Sequence, residues 1–170
     1  MRCFGLLVIV GLLLSGCSGS KETTKKKAFP EKMQLAWMQR ADFVTSDYPK
    51  FKQNYDTVHI GDNFVEMIKF LHGGIDFVVV LGTWCGDSKR EVPRFLKIVD
   101  LALIPHGQIR FYGVDRTKKS PDGVTHRYNI DRVPTFILLK HGEEVGRIVE
   151  SPKNSLEEDM LTILADAQGK

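Results

Sequence analysis

The chain predicts an α/β fold, a central mixed sheet with helices on both faces. Three observations carry this. "IDFVVVL", residues 75–81, is a continuous β-rich run, as expected for a strand covered on both sides. Helical and strand patterns alternate around it. "TFILLK" and "EVGRIV" are separated only by "HGE", a turn of hairpin length.

Each element has its own signal. "NFVEMIKFLHGG" opens with Asn63 and Glu66 in capping-box register. Phe64, Met67, Ile68 and Leu71 follow helical spacing, and Gly73 is placed to close that helix. After the strand at 75–81, a helix is expected from Cys85 to Leu103, with Val92, Phe95, Leu96 and Val99 on one stripe. "IRFYGV" reads as a second strand and "SPDGVTHRY" as a short helix. The hairpin follows. "SLEEDMLTILADA" then starts with Ser155 and Glu158 in capping-box register, with Leu156, Met160, Ile163 and Leu164 on one face. A βαβ unit followed by an antiparallel hairpin gives a mixed sheet.

The segment before residue 61 is less regular. Met33, Trp37, Ala41 and Val44 have helical spacing, "DYPKF" reads as a turn, and "TVHI" as an edge strand. Residues 28–60 are therefore expected to form an N-terminal extension packed on a domain at 61–170.

The front of the chain predicts export. Arg2 precedes an apolar run from Phe4 to Leu14, and small residues follow, the pattern of a secretory signal at 1–16. The run is shorter than the roughly 20 residues a spanning helix needs. "LSGC", ending at Cys17, resembles the lipobox of bacterial lipoproteins. That resemblance implies cleavage before Cys17 and acylation of both its sulfur and its new amino terminus. The alternative is an ordinary signal peptide that leaves Cys17 a free thiol. Several acyl chains hold a membrane far better than one, at ~0.8 kcal/mol per buried methylene. Residues 17–27, including "SGSKETTKKK", are too polar to build a core and read as a tether. The expected location is the bacterial cell envelope, lipid-anchored and facing the periplasm or the outside. Ser18 is compatible with onward sorting to an outer membrane.

Composition excludes several functions. A net charge of +3, part of it in the signal peptide, is too weak to argue for nucleic acid, and no basic helix is interleaved with aromatics. His59, His72, His106, His126 and His141 lack metal-ligand spacing. No CxxCH haem motif and no phosphate-binding glycine loop occur. No cofactor is implied. Cys3 leaves with the signal and Cys17 carries lipid, so Cys85 remains the one free thiol of the exported protein, in a compartment that tolerates disulfides.

That thiol lies at a strand-to-helix turn. Unpaired N–H groups and the helix dipole favour a thiolate at a helix N-terminus, and the thiolate is the nucleophile that attacks disulfides. The competing reading is an inert buried cysteine. Ser88, three residues on, is near enough to donate its hydroxyl to the thiolate, or is only a polar first-turn residue. Asp87 tunes the thiol in two opposed ways. Its carboxylate suits the helix N-terminus, yet its charge opposes a neighbouring thiolate. Lys89 and Arg90 offset Asp87 or are simply solvated.

"WCGDS", residues 84–88, resembles the thioredoxin active-site motif, usually WCGPC. Pro93 stands where thioredoxins kink the following helix, and "VPTFILLKHGEE", residues 133–144, resembles their cis-proline strand and hairpin. The resemblance covers roughly residues 60–168 and implies a thioredoxin-like fold. It implies a cis bond between Val133 and Pro134 facing Cys85, with the Val133 backbone pairing an extended substrate segment. Trp84 would form an apolar rim, or pack in the core. Two departures stand out. Ser88 replaces the second cysteine. Val79 replaces the buried acid, six residues before the nucleophile, that in the family helps deprotonate that cysteine. Both halves of the resolving chemistry are missing together.

The expected function is a thiol-disulfide protein in which Cys85 forms mixed disulfides with protein or small-molecule disulfides, released by an external thiol or a partner protein. This is a monothiol isomerase- or reductase-like role. The alternatives are a redox-silent peptide-binding module and a peroxide sensor in which Cys85 becomes sulfenic acid.

Overall fold

A computed structural model describes residues 33–45 and 47–169. The expected signal peptide at 1–16, Cys3, the lipid site Cys17, the tether at 17–27 and residues 28–32 lie outside the described residues. The elements are β1 (Ala36–Met38), a 3-10 turn (Arg40–Val44), α1 (Pro49–Thr57), α2 (Asp62–Leu71), β2 (Ile75–Leu81), α3 (Gly86–Leu101), β3 (Ile109–Gly113), α4 (Val124–Arg127), β4 (Thr135–Lys140), β5 (Glu143–Val149) and α5 (Leu156–Gln168). No helix among the described residues is long and apolar enough to cross a membrane.

The sheet runs in the order β1-β3-β2-β4-β5. β2 and β3 are parallel, while β1, β4 and β5 each run antiparallel to their neighbour. Phe77 to Leu81 are all fully buried, because β2 is central and covered on both faces. Its odd-numbered residues and Phe136 and Leu138 of β4 enter the larger core, under α1, α2, α3 and α5. Val78 and Val80 enter a smaller core, closed by Val124 of α4, Ile130 and Val133. Helices thus cover both faces, but unequally. Burying one such large side chain is worth about 1.5–3 kcal/mol, so the larger layer dominates stability.

The extension differs from its sequence pattern. Residues 36–38 are an edge strand, not a helix: Trp37 points out and Met38 in, opposite Tyr112 and Phe111 of β3. Three residues are too few for a period of two to show against a chance helical spacing. Gly113 leaves room here, since a Cβ on it would lie 2.3 Å from the Gln34 carbonyl oxygen. "TVHI" is not a strand; Thr57 ends α1 and the next three residues are irregular. "DYPKF" is more than a turn, because Pro49 opens α1, where a missing N–H costs nothing. Smaller shifts occur elsewhere. Gly61, not Asn63, caps α2, and Gly74, at φ 74°, takes the left-handed position expected of Gly73. His141 and Gly142, both at positive φ, form the two-residue hairpin turn, so Glu143 already belongs to β5. Ser155 caps α5 as its pattern predicts, accepting the Glu158 N–H.

The extension is sewn into the larger core. Phe43 packs tilted against Phe51 at 5.6 Å and edge-on against Phe111 at 5.0 Å. Arg40 pairs with Asp100 of α3, and the Tyr55 hydroxyl donates to the same carboxylate at 2.7 Å. Burial pushes the Asp100 carboxyl up, but these bonds outweigh it and hold it below its ordinary value. One further bond repairs a defect in α3. Pro93 has no N–H, so the Lys89 carbonyl loses its helical partner. The Asn54 side-chain amide of α1 donates to that carbonyl at 2.7 Å.

At the far side, Arg94 of α3 holds Glu157 of α5 through two bonds of 2.8 and 2.6 Å. Burial pushes the Glu157 carboxyl up, yet the Arg94 bonds win and hold it below its ordinary value. It therefore ionises more readily folded than unfolded. The pair contributes fully above the unfolded value of about 4.3, and that contribution is lost as pH falls through the folded value.

Two outcomes are expected in urea unfolding. Asn54→Leu should cost about 1 kcal/mol, and less than half of that in a Pro93→Ala background, where residue 93 can serve Lys89 itself. Additive costs would show that Asn54 does not compensate the proline. Arg94→Met should cost roughly 2 kcal/mol at pH 7, discounted for the partial exposure of Arg94. The deficit should narrow at pH 3.5, and an equal deficit at both pH values would mean that packing, not charge, was lost.

Candidate active site

β2 delivers the chain to the site and α3 carries it away. Between them, residues 82–85 make a tight turn, with the Cys85 N–H donating to the Gly82 carbonyl at 2.9 Å. Cys85 is the N-cap of α3, in extended conformation, so its side chain sits beside the first turn's free N–H groups. It is half-buried and unbonded to any other sulfur. The Val133–Pro134 bond is cis and stands opposite. The two meet directly: the Cys85 thiol donates to the Val133 carbonyl at 3.3 Å.

Ser88 is placed differently from a thiolate partner. It is fully buried, and its Oγ accepts the Gly82 N–H at 3.2 Å. No hydrogen bond joins Ser88 to Cys85 among the described residues. Ser88 closes the turn that presents the cysteine. Val79 lies fully buried in the larger core, six residues upstream.

Trp84 is half-buried over the smaller core. Its indole N–H donates to the Val114 carbonyl at 2.9 Å, and its ring covers Gly82. A Cβ on Gly82 would lie 2.6 Å from the indole Cε2, so only glycine lets the ring lie flat there. Trp84 therefore both packs and forms a rim. The guanidinium of Arg116 lies 5.1 Å from the centre of that ring. Asp87 is half-buried and bonded to Arg90 at 2.9 Å, and Arg90 also holds Glu91 at 2.6 Å and the Ser151 hydroxyl at 2.8 Å. Val133 and Pro134 are both buried.

The structure thus brings Cys85, Val133 and Pro134 together, with Trp84 beside them. It sets Ser88 behind the turn and Asp87 outside it. Sequence reasoning missed Gly82, Arg116 and Asn54. Gly82 could have been found as the one residue between a buried strand and a tryptophan able to lie on it. Nothing in the sequence marks Arg116, which reaches Trp84 from a distant loop. A groove lined by Trp37, Arg40, Leu96, His106 and Phe111 includes none of the predicted residues.

Ser88→Ala separates the two roles open to Ser88. It should lower stability by about 1–3 kcal/mol, the cost of a buried N–H without a partner. The alkylation rate of Cys85 should change little. A large fall in that rate at unchanged stability would instead place the hydroxyl on the sulfur.

Comparison with known proteins agrees with this geometry. A family model described as "Thioredoxin" matches residues 34–164. A thioredoxin of Malassezia sympodialis is 33% identical over 115 residues, covering 67% of this chain and 90% of that protein. "Thioredoxin H9" of Arabidopsis thaliana is 29% identical over 82 residues, and this chain spans only 54% of its length. "Thioredoxin H2-1" of Oryza sativa is 32% identical over 81 residues, again across 54% of its length. Among solved structures, a Pseudomonas aeruginosa protein described as of unknown function superposes with a TM-score of 0.54. The match covers 78% of this chain and 93% of that one at 16% identity, a likeness of fold alone. With the strand-to-helix cysteine, the cis-proline opposite it and the sequence match spanning both, the chain belongs to the thioredoxin family.

Proposed function

We propose that the protein is a membrane-anchored monothiol of the bacterial cell envelope, acting on disulfides through Cys85. One observation carries the reading most: the only cysteine among the described residues caps α3 and touches the carbonyl beside the cis-proline. The Cys85 thiolate attacks one sulfur of a substrate disulfide. A Cys85–substrate bond forms, the substrate S–S bond breaks, and the other substrate sulfur leaves as thiolate. An external thiol then attacks the substrate sulfur of the mixed disulfide and releases Cys85 as thiolate. Full reduction of one substrate disulfide consumes two external thiols, which leave as a disulfide.

Val133 gives this cycle a docking step. Its carbonyl now accepts the thiol proton. An extended substrate segment laid along residues 133–134 offers its own N–H to that carbonyl, as strand addition requires. Binding would then free the thiol as it delivers the disulfide. Ser88 cannot resolve the mixed disulfide, and Val79 cannot assist a resolving group. The anchor rests on "LSGC" and the apolar run before it.

One preparation tests both halves. Cys17→Ala is expected to leave the membrane fraction, and processed protein that still partitions into detergent would refute the anchor. In that soluble form, insulin reduction should be negligible alone and proceed with glutathione present. Ser88→Cys should shorten the life of the mixed disulfide. Unassisted multi-turnover reduction by the Cys17→Ala protein would overturn the monothiol cycle.

A further inference from the structure

Arg116 lies over Trp84, the residue before Cys85, and this cycle does not use it. Other arginines near the site are neutralised: Arg90 by Asp87 and Glu91, and Arg132 by Glu150. Farther off, Arg94 and Arg147 pair with Glu157 and Glu144. Arg116 has no carboxylate partner among the described residues. Its recorded contact is the face of Trp84, and it is exposed. Its chain neighbour Asp115 is committed to its own loop, where Oδ1 accepts from the Thr117 N–H, the Thr117 hydroxyl and the Lys119 N–H.

A lone surface arginine ordinarily moves freely in water. Here the ring that holds it is itself fixed, by the bond to Val114 and the contact with Gly82. The guanidinium lies over the ring, and its N–H donors, which can bind a carboxylate in bidentate fashion, make no hydrogen bond among the described residues. Trp84 is the residue immediately before the nucleophile. Arg116 thus lies against the side chain next to Cys85 in the chain, with no carboxylate partner among the described residues.

We propose that Arg116, lying over Trp84, makes the site selective for disulfides that carry a carboxylate close to the attacked sulfur. This rests on the thiol-exchange reading of Cys85 and names the substrate class for it. Such a carboxylate occurs in small thiols and in acidic residues flanking a cysteine. The chemistry recognised is the same. Arg116 would be a specificity residue, binding the substrate while Cys85 does the exchange.

Three disulfides of similar size test it: dithiodipropionate with two negative charges, hydroxyethyl disulfide with none, and cystamine with two positive ones. Single-turnover rates are measured at low salt for the parent and Arg116→Gln, with Cys85→Ala as the blank. The ratio of dithiodipropionate to hydroxyethyl disulfide rates should fall about five-fold in Arg116→Gln, the upper range for an exposed ion pair. It should also fall with added salt in the parent, and Arg116→Lys should keep part of it. A change in thiolate population would alter all three rates alike and leave the ratios unmoved. An unchanged ratio in Arg116→Gln overturns the proposal while the Cys85 reading stands. Rates in the parent equal to Cys85→Ala remove the thiol reading itself, and this proposal with it. Repeating the measurement with oxidised glutathione and with a glutamate-flanked cystine peptide assigns the carboxylate to a small thiol or a polypeptide, whichever loses more in Arg116→Gln. No loss in either again overturns the proposal.

Discussion

The bond from the Gly82 N–H to the Ser88 hydroxyl is what the site depends on. A strand that leaves the centre of a sheet and enters a helix within four residues strands backbone groups in an apolar interior. Gly82 is such a group, and Ser88 is the buried acceptor that meets it. With that end closed, residues 83–85 have little freedom. Trp84 turns onto Gly82 and Val114, and Cys85 turns toward Val133. The serine that looks like a missing cysteine is a structural member of the turn. The cysteine's place is set from behind.

The polar groups around the site follow one rule. Each buried carboxylate is met by an arginine: Glu157 by Arg94, Glu91 by Arg90. On the central strand, where an acid would have no such partner, the chain carries Val79. A lone buried carboxylate is expensive to ionise, and by the resemblance described above its justification is a second cysteine to serve. With Ser88 in that place the justification is gone, and an apolar side chain fills the space at no electrostatic cost. The unequal division of the helices fits the same picture. The larger core secures α3 from below, and the smaller one leaves the cysteine's side accessible.

Much of this was legible in the sequence. β2, α3, the hairpin and α5 are long or strongly patterned, and their boundaries fall within a few residues of expectation. Cys85 at the start of a helix follows from a buried run ending just before an amphipathic one. The cis bond at Pro134 came only from likeness to a family. The extension was not legible. β1 is three residues long, and its identity as a strand depends on β3, which lies far away in sequence. The capping pattern points to Asn63, but Gly61 caps α2 without a side chain, and local patterns register only side chains. Arg116 and Asn54 matter through residues distant along the chain, Trp84 and Lys89, and no local pattern reports such pairs. For Ser88, spacing along a helix suggests Cys85 as partner, whereas the hydroxyl turns inward to Gly82.

The bond between Asn54 and Lys89 joins the helix proline and the extension as a single heritable unit. A descendant that kept Pro93 but lost α1 would carry a bare carbonyl at the start of α3. One that replaced Pro93 would leave Asn54 facing a carbonyl already served. A crossover between residues 57 and 62, which looks harmless on the connectivity alone, would separate the two and assemble mismatched halves. The family match begins at residue 34, upstream of that crossover, so the two parts fall within one shared pattern. In recombination, the natural seam of this protein lies before β1.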